Sequence, residues 1–232
     1  MRIFPLRSPA SFIIATLAIV LVPLSAPAQT DIAGSVYGAF SGTTTGNGTQ
    51  QSPANQAGGL IELRHIANPI LGFEATYSFN RANQTYTTDP GTVPCPTSGC
   101  SISTESVSAS AHEITGDWVP SLHIANLRPF GVLGAGLLLD VPASGQATVT
   151  TICSECLGGI PAPMTTTSPA QTSAKAVFVY GGGLDWGMLP HIGLRLQYRG
   201  NLYSATNVTK VFSSISAFTH TAEPMAGVCF RI

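Results

Sequence analysis

Two close cysteine pairs are the first residues whose types and spacing suggest chemistry. Cys95 and Cys100 bracket Pro96-Thr97-Ser98-Gly99, and Cys153 and Cys156 bracket Ser154-Glu155. Four thiolates in two pairs could hold a tetrahedral zinc ion. The second pair also has the spacing of a redox dithiol, although no strand–helix–strand pattern surrounds it. In an exported chain disulfides are favoured, and four cysteines allow three connectivities. Local pairing, Cys95 with Cys100 and Cys153 with Cys156, is the expected one. Pairing across the two segments would close a longer stretch of chain and stabilise more. Cys229 is left over and is expected to be a buried free thiol.

The histidines offer less. His112 and Ser110 are two residues apart, so on a strand they share a face, as a base and nucleophile would need. His65-Ile66-Ala67-Asn68 recurs as His123-Ile124-Ala125-Asn126, and His191-Ile192 repeats its start. That echo reads as a metal or partner site, or more simply as shared turn chemistry, with Asn tolerating unusual dihedrals.

These residues need a framework, and composition narrows it. Only 9% of the 232 residues are charged, 44% are hydrophobic, net charge is -1, and there are 24 Gly and 17 Pro. A coiled coil, a basic nucleic-acid binder and a charge-rich disordered chain are excluded. The start carries Arg2 and Arg7, an apolar stretch from Phe12 to Leu24, and Ala26-Pro27-Ala28. This is the layout of a secretory signal peptide, so residues 1–28 are expected to be removed and 29–232 to form the mature domain. Its apolar core, about 13 residues, is shorter than the ~18–20 of a spanning helix. Nothing after Ala28 is long and apolar enough for one.

The mature chain reads as strands. Leu71, Phe73, Ala75, Tyr77 and Phe79 alternate with Gly72, Glu74, Thr76, Ser78 and Asn80. Ile192, Leu194, Leu196 and Tyr198 alternate likewise with Gly193, Arg195, Gln197 and Arg199. Eight such segments are predicted: 32–42, 58–66, 70–81, 107–118, 127–141, 174–187, 192–203 and 219–232. Most are long enough to cross a membrane at a tilt.

Charges partition by face. The polar parity holds Glu62, Arg64, Glu74, Glu113, Asp117, Arg128, Asp140, Lys175, Asp185, Arg195, Arg199, Glu223 and Arg231. These seven acids and six bases are 13 of the 19 charges beyond Arg7, and the apolar parity holds none within a span. Lys or Arg facing lipid would cost about 2–4 kcal/mol at the bilayer midplane. The remaining charges, Asp31, Arg81, Asp89, Glu105, Glu155 and Lys210, are assigned to loops or strand ends. Long Thr/Ser/Gly/Pro-rich links (43–57, 82–106, 142–173, 204–218) alternate with short turns. Trp118 and Trp186 stand on the apolar parity at the short-turn end, where interfacial aromatics belong. The expected fold is therefore all-β: an eight-stranded antiparallel up-and-down transmembrane β-barrel. The soluble alternative is a lipocalin-type calyx with its apolar parity turned inward.

Several stretches resemble the outer-membrane β-barrel family of small OmpA- and OmpX-type barrels. They are Arg128-Pro129-Phe130 leading to Gly134-Ala135-Gly136, Gly181-Gly182-Gly183-Leu184-Asp185, Tyr198-Arg199, and the terminal Gly227-Val228-Cys229-Phe230-Arg231-Ile232. Gly227, Phe230 and Ile232 are similar to that family's C-terminal assembly signal, although Ile232 replaces a usual Phe and Met225 takes a usually polar position. The resemblance implies a Gram-negative outer membrane, a periplasmic N-terminus, and outer-membrane lipids and the barrel-assembly machinery as partners. The long links are a candidate surface for an extracellular ligand.

An eight-stranded barrel is only wide enough for its own side chains. The lumenal charges are therefore expected to pair and close it, with Arg128, Arg195 and Arg199 as the cationic centre and Glu62, Glu74 and Glu113 as candidate partners. The expected role is structural or surface-interacting, without cofactor, metal, nucleic acid or enzymatic activity. The alternatives are a narrow porin-like pore for small solutes and, second, a lipid-modifying enzyme.

Overall fold

Alternating residues let a strand show one face to lipid and the other to a polar lumen, and a closed sheet leaves no backbone edge unpaired. The computed structural model, which describes residues 28–88, 101–153 and 163–232, takes that form. Its strands begin with β1 (Gln29–Ser41), β2 (Thr44–Gly46), β3 (Thr49–Pro53), β4 (Gln56–Ile66), β5 (Gly72–Arg81), β6 (Gln84–Thr88) and β7 (Ser101–Val107). They continue with β8 (Ala109–Trp118), β9 (Leu127–Pro142), β10 (Gln146–Cys153), β11 (Met164–Pro169), β12 (Ser173–Gly187), β13 (Ile192–Ser204) and β14 (Phe218–Arg231).

Eight of them close a barrel in the order β1-β14-β13-β12-β9-β8-β5-β4, and every neighbouring pair is antiparallel. These are the eight predicted segments, with ends shifted by only a few residues. The connections Ile66–Gly72, Trp118–Leu127 and Gly187–Ile192 are short, and both chain ends of the barrel lie at their rim. No described helix is long and apolar enough to cross a membrane.

The calyx alternative fails on orientation. Ile61, Ile114, Leu137 and Leu196 are 51–65% exposed on the outside, whereas Glu62, Arg64, Arg195 and Arg199 are wholly buried within. An exterior of this kind matches lipid and cannot stand in water without an exposed apolar patch far beyond the usual size. Trp118 and Trp186 face outward at the short-turn rim, and the Trp118 indole donates to the Ile70 carbonyl at 2.6 Å.

The short turns echo one another only in part. Asn68 Oδ1 accepts hydrogen bonds from the Ile70 and Leu71 amides at 3.0 and 2.9 Å. In the second turn Ala125, rather than Asn126, takes the left-handed conformation (φ 51°). That turn folds under the barrel, burying Val119 completely against the lumenal Phe130 and Val132. Gly72 is required there, because a Cβ would run into the Val119 carbonyl.

The long links are not plain loops. The hairpins β2–β3, β6–β7 and β10–β11 pair side by side as a six-stranded sheet in the order β11-β10-β7-β6-β3-β2. Each of the first three links thus carries the barrel wall past a break of a few residues and onward as a folded cap. Alternation extends into it: Tyr86, Val107 and Ala147 point inward and form a second small core.

Candidate functional site

The lumen holds a continuous lattice of ion pairs. Arg195 is its hub, donating to Asp185 at 2.7 and 2.9 Å and to Glu62 at 2.7 Å. Glu74 and Asp31 stand 3.8 and 4.0 Å from the same guanidinium. Arg64 donates to Glu74 at 2.6 Å and to Asp185 at 3.4 Å, and it lies 4.0 Å over the Phe130 ring. Arg199 reaches Asp117 at 3.4 Å, Glu113 at 3.5 Å and Glu74 at 3.9 Å, and it donates to the Thr76 and Thr115 hydroxyls. Charge-assisted bonds to a rigid guanidinium fork are strong and directional, so several shared carboxylates cross-link the strands through the lumen.

The expected centre is redistributed. Arg195 and Arg199 occupy it with Glu62, Glu74 and Glu113, but the third central cation is Arg64. Arg128 sits toward the short-turn rim, pairing with Asp31 at 3.2 Å and donating to Gln29. Asp31, assigned from sequence to a strand end, is 1% exposed and belongs to the lattice. The reason is that β1 begins at Gln29, which puts Asp31 on the lumenal parity. Asp140, Lys175, Glu223 and Arg231 face the lumenal side without an ion pair to a described partner. Phe130, Val132, Leu138, Val177 and Val179 add an apolar seam along β9 and β12, which charge counting did not reveal.

The cap is closed from within by the fourth long link, residues 205–217. Ala205, Thr206, Val208 and Thr209 are almost fully buried. The Tyr86 hydroxyl donates to the Thr206 carbonyl at 3.0 Å and accepts from the Val208 amide at 3.2 Å. Burial holds the Tyr86 phenol above its ordinary range, so it remains a donor. Gln171 donates to the carbonyls of Asn207 and Thr209, and Asn47 donates to Ser214. Glu105, also assigned from sequence to a loop or strand end, is fully buried and accepts from the hydroxyls of Ser168 and Thr209. The strap thus joins β11 at one margin of the cap sheet to the β2–β3 turn at the other.

These contacts predict a proteolytic signature. Lys210 is exposed within the strap, so Tyr86→Ala should speed trypsin cleavage after Lys210 by tenfold or more while the barrel stays intact. The change removes two hydrogen bonds and part of the cap core, a few kcal/mol in all. Mass mapping of timed digests checks this, and unchanged cleavage would contradict the anchoring role.

The other candidates fall apart on geometry. The His112 imidazole is hydrogen-bonded to the Tyr77 hydroxyl at 2.9 Å, across the strand and away from Ser110. His220 makes the same kind of bond to Tyr180 at 2.8 Å. His65 contacts Thr30 at 3.0 Å, His191 lies 3.3 Å from the Arg231 carbonyl, and His123 is exposed. No group of three or more His, Cys, Asp or Glu able to hold a metal occurs among the described residues. Cys95, Cys100 and Cys156 lie outside the described residues, and Cys153 ends β10. Cys229 is a buried free thiol facing the lumen. Gly227 sits opposite Ser35 in the β1–β14 ladder, with Phe230 and Ile232 exposed beyond it.

A closed antiparallel barrel with an apolar outer wall, an ionic lumen, short turns on one rim and a long folded cap on the other defines a transmembrane barrel of the small eight-stranded outer-membrane type. Among solved structures, the chain is similar to neisserial surface protein A (NspA), with 16% identity, 88% of this chain and 99% of that chain covered, and a TM-score of 0.48. It is also similar to Ail, the attachment invasion locus protein of Yersinia pestis, in complex with the heparin analogue sucrose octasulfate (13% identity, 89% and 100% covered, TM-score 0.42). A third similar structure is the outer membrane protein OprG of Pseudomonas aeruginosa (9% identity, 89% and 96% covered, TM-score 0.41). No family model matches the chain, and no curated protein matches it by sequence.

Proposed function

We propose that the protein is a non-conducting outer-membrane anchor that presents the six-stranded cap to partners outside the cell. The observation that carries this reading is double closure: the Arg64–Arg195–Arg199 lattice fills the lumen, and the strap fills the cap above it. A solute path would have to break several buried ion pairs at once, each costly to leave unpaired. The cap supplies the partner surface. Thr165, Thr166 and Thr167 on β11 are exposed on both faces of the strand, and this face is uncharged and Thr-rich. Non-enzymatic action accords with the engagement of His112 by Tyr77 instead of Ser110. Assembly through the C-terminal signal at Gly227, Phe230 and Ile232 belongs to the same proposal.

Planar-bilayer recording tests it. Wild type should show no reproducible single-channel steps. Arg195→Ala combined with Tyr86→Ala should show small, frequent openings, because the pair removes the guanidinium shared by Asp185 and Glu62 and also frees the strap that closes the cap. Stable steps from the wild type would favour the narrow pore instead.

A further inference from the structure

One cation breaks the pattern of the outer wall. Among the described residues of the eight barrel strands, Arg81 is the only Lys or Arg on the outward face, and no Asp or Glu stands there. Arg81 ends β5 at the cap-side rim, where the apolar band gives way and a cation costs far less than at the midplane. It is exposed and makes no ion pair with a described residue. Ser110 lies directly across the β5–β8 ladder from Arg81, and His112 lies across from Phe79. The His112 and Phe79 ring centroids are 5.1 Å apart. Tyr77 engages His112 at Nδ1, which leaves Nε2 without a described partner. A guanidinium, a hydroxyl and an imidazole thus occupy neighbouring positions on one outward patch.

A groove opens beside this patch. Across the ladders, Gly34 lies between Val228 and Ile61, and Gly59 lies between Val36 and Phe79. All six face outward, and they line an apolar hollow of about 590 Å³ that runs across β14, β1, β4 and β5. Small-ligand sites usually enclose about 300–1,000 Å³. A Cβ at Gly34 would meet nothing within 4 Å, and one at Gly59 only the Ser35 carbonyl at 4.0 Å. Backbone packing therefore does not require glycine at either position, and a side chain there would simply fill the hollow. Phe79 joins the two features. It lines the hollow, and Arg81 follows about 7 Å further along the same face of β5.

We infer that this face of the wall binds one phosphorylated lipid of the outer leaflet, its phosphate on Arg81, Ser110 and His112 and an acyl chain in the hollow at Gly34 and Gly59. Charge and place select that occupant. A guanidinium fork beside a hydroxyl and an imidazole suits phosphate oxygens. An acyl chain suits an apolar hollow at membrane depth. The patch lies on the cap side, so the lipid belongs to the outer leaflet, where phosphates are carried by the acylated disaccharide lipid A. The described outer face of a second barrel offers Arg81 no carboxylate, so a copy of this chain matches the patch less well. The other Tyr–His pair of the outer wall, Tyr180 with His220, has no cation on its face and serves as an internal comparison. The inference is independent of whether the lumen conducts.

Native mass spectrometry of the full-length chain, folded in detergent and titrated with lipid A, provides the test. Wild type should saturate at one lipid A per barrel. Dephosphorylated lipid A with the same acyl chains should bind at least tenfold more weakly, a comparison that needs no variant. Arg81→Gln should weaken lipid A binding at least tenfold by removing the phosphate's cation. Gly59→Leu should do the same by filling the hollow, where the protein leaves room for a side chain. His220→Gln, at the comparison pair, should leave binding unchanged. Heat-dependent gel mobility verifies that each variant is folded. Unsaturated uptake of both lipids alike by wild type overturns the inference, since the wall would then carry only annular lipid. Binding to folded Arg81→Gln or Gly59→Leu equal to that of wild type overturns it too, by placing the lipid elsewhere, as does a barrel dimer that excludes the lipid.

Discussion

Arg195→Ala should lower the unfolding free energy of the membrane-inserted barrel by about 3–5 kcal/mol, the usual cost of removing one member of a buried ion pair. The mechanism is desolvated charge. Arg195 is wholly buried, and its removal leaves Asp185 and Glu62 without their closest cation in a lumen that excludes bulk water. Arg64 lies 3.4 Å from Asp185 and can compensate only in part, since it is already committed to Glu74. Adding Asp185→Ala to Arg195→Ala should therefore recover a measurable fraction, because the second change deletes one of the stranded carboxylates. Urea unfolding in lipid vesicles checks both. If the single variant lost under 1 kcal/mol, or the double variant lost the sum of two independent effects, the lattice would not be what closes the lumen.

The second large effect lies on the other side of the wall. Leu137, in the interior of β9, is 65% exposed and faces outward between Ile114 of β8 and Ala176 of β12. Leu137→Arg should destabilise the inserted barrel by about 2–4 kcal/mol, the depth-dependent cost of a cation facing hydrocarbon. The same residue placed at Thr166, on the exposed edge strand of the cap, should change stability by no more than about 0.5 kcal/mol. Vesicle-insertion yield and urea midpoints distinguish the two. Equal tolerance at both positions would mean that Leu137 does not face lipid.

The barrel was legible because its physics is written in a period of two. Strands such as Gly72–Arg81 must suit hydrocarbon on one side and an ionic lumen on the other, so almost every residue type carries information. The cap was much less legible. There both environments are aqueous or mildly apolar, and short pieces such as Thr44–Gly46 and Thr49–Pro53 show no contrast of residue type between faces. The readable trace was Ala147-Thr148-Val149-Thr150, where Ala147 and Val149 point inward and Thr suits a strand. Pairing partners inside the lumen were hidden for another reason. Which acid meets which arginine depends on register around the whole cylinder: Arg195 and Glu62 are 133 residues apart and meet only because the barrel closes. The burial of Glu105 was equally invisible, since it depends on a strap, residues 205–217, with no periodic pattern of its own.

A lipid-facing wall around an ionic lumen requires neighbouring residues on one strand to face the two environments in strict alternation. Photolabelling in proteoliposomes, with a diazirine carried at the end of a phospholipid acyl chain and adducts located by mass spectrometry, measures that alternation without any substitution. Adducts are expected on Ile61 and Leu137, which are 61% and 65% exposed, and not on their neighbours Leu60 and Leu138, at 3% and 6%. Adducts on Leu60 and Leu138, or none on Ile61 and Leu137, would contradict the lipid-facing wall and with it the closed ionic lumen.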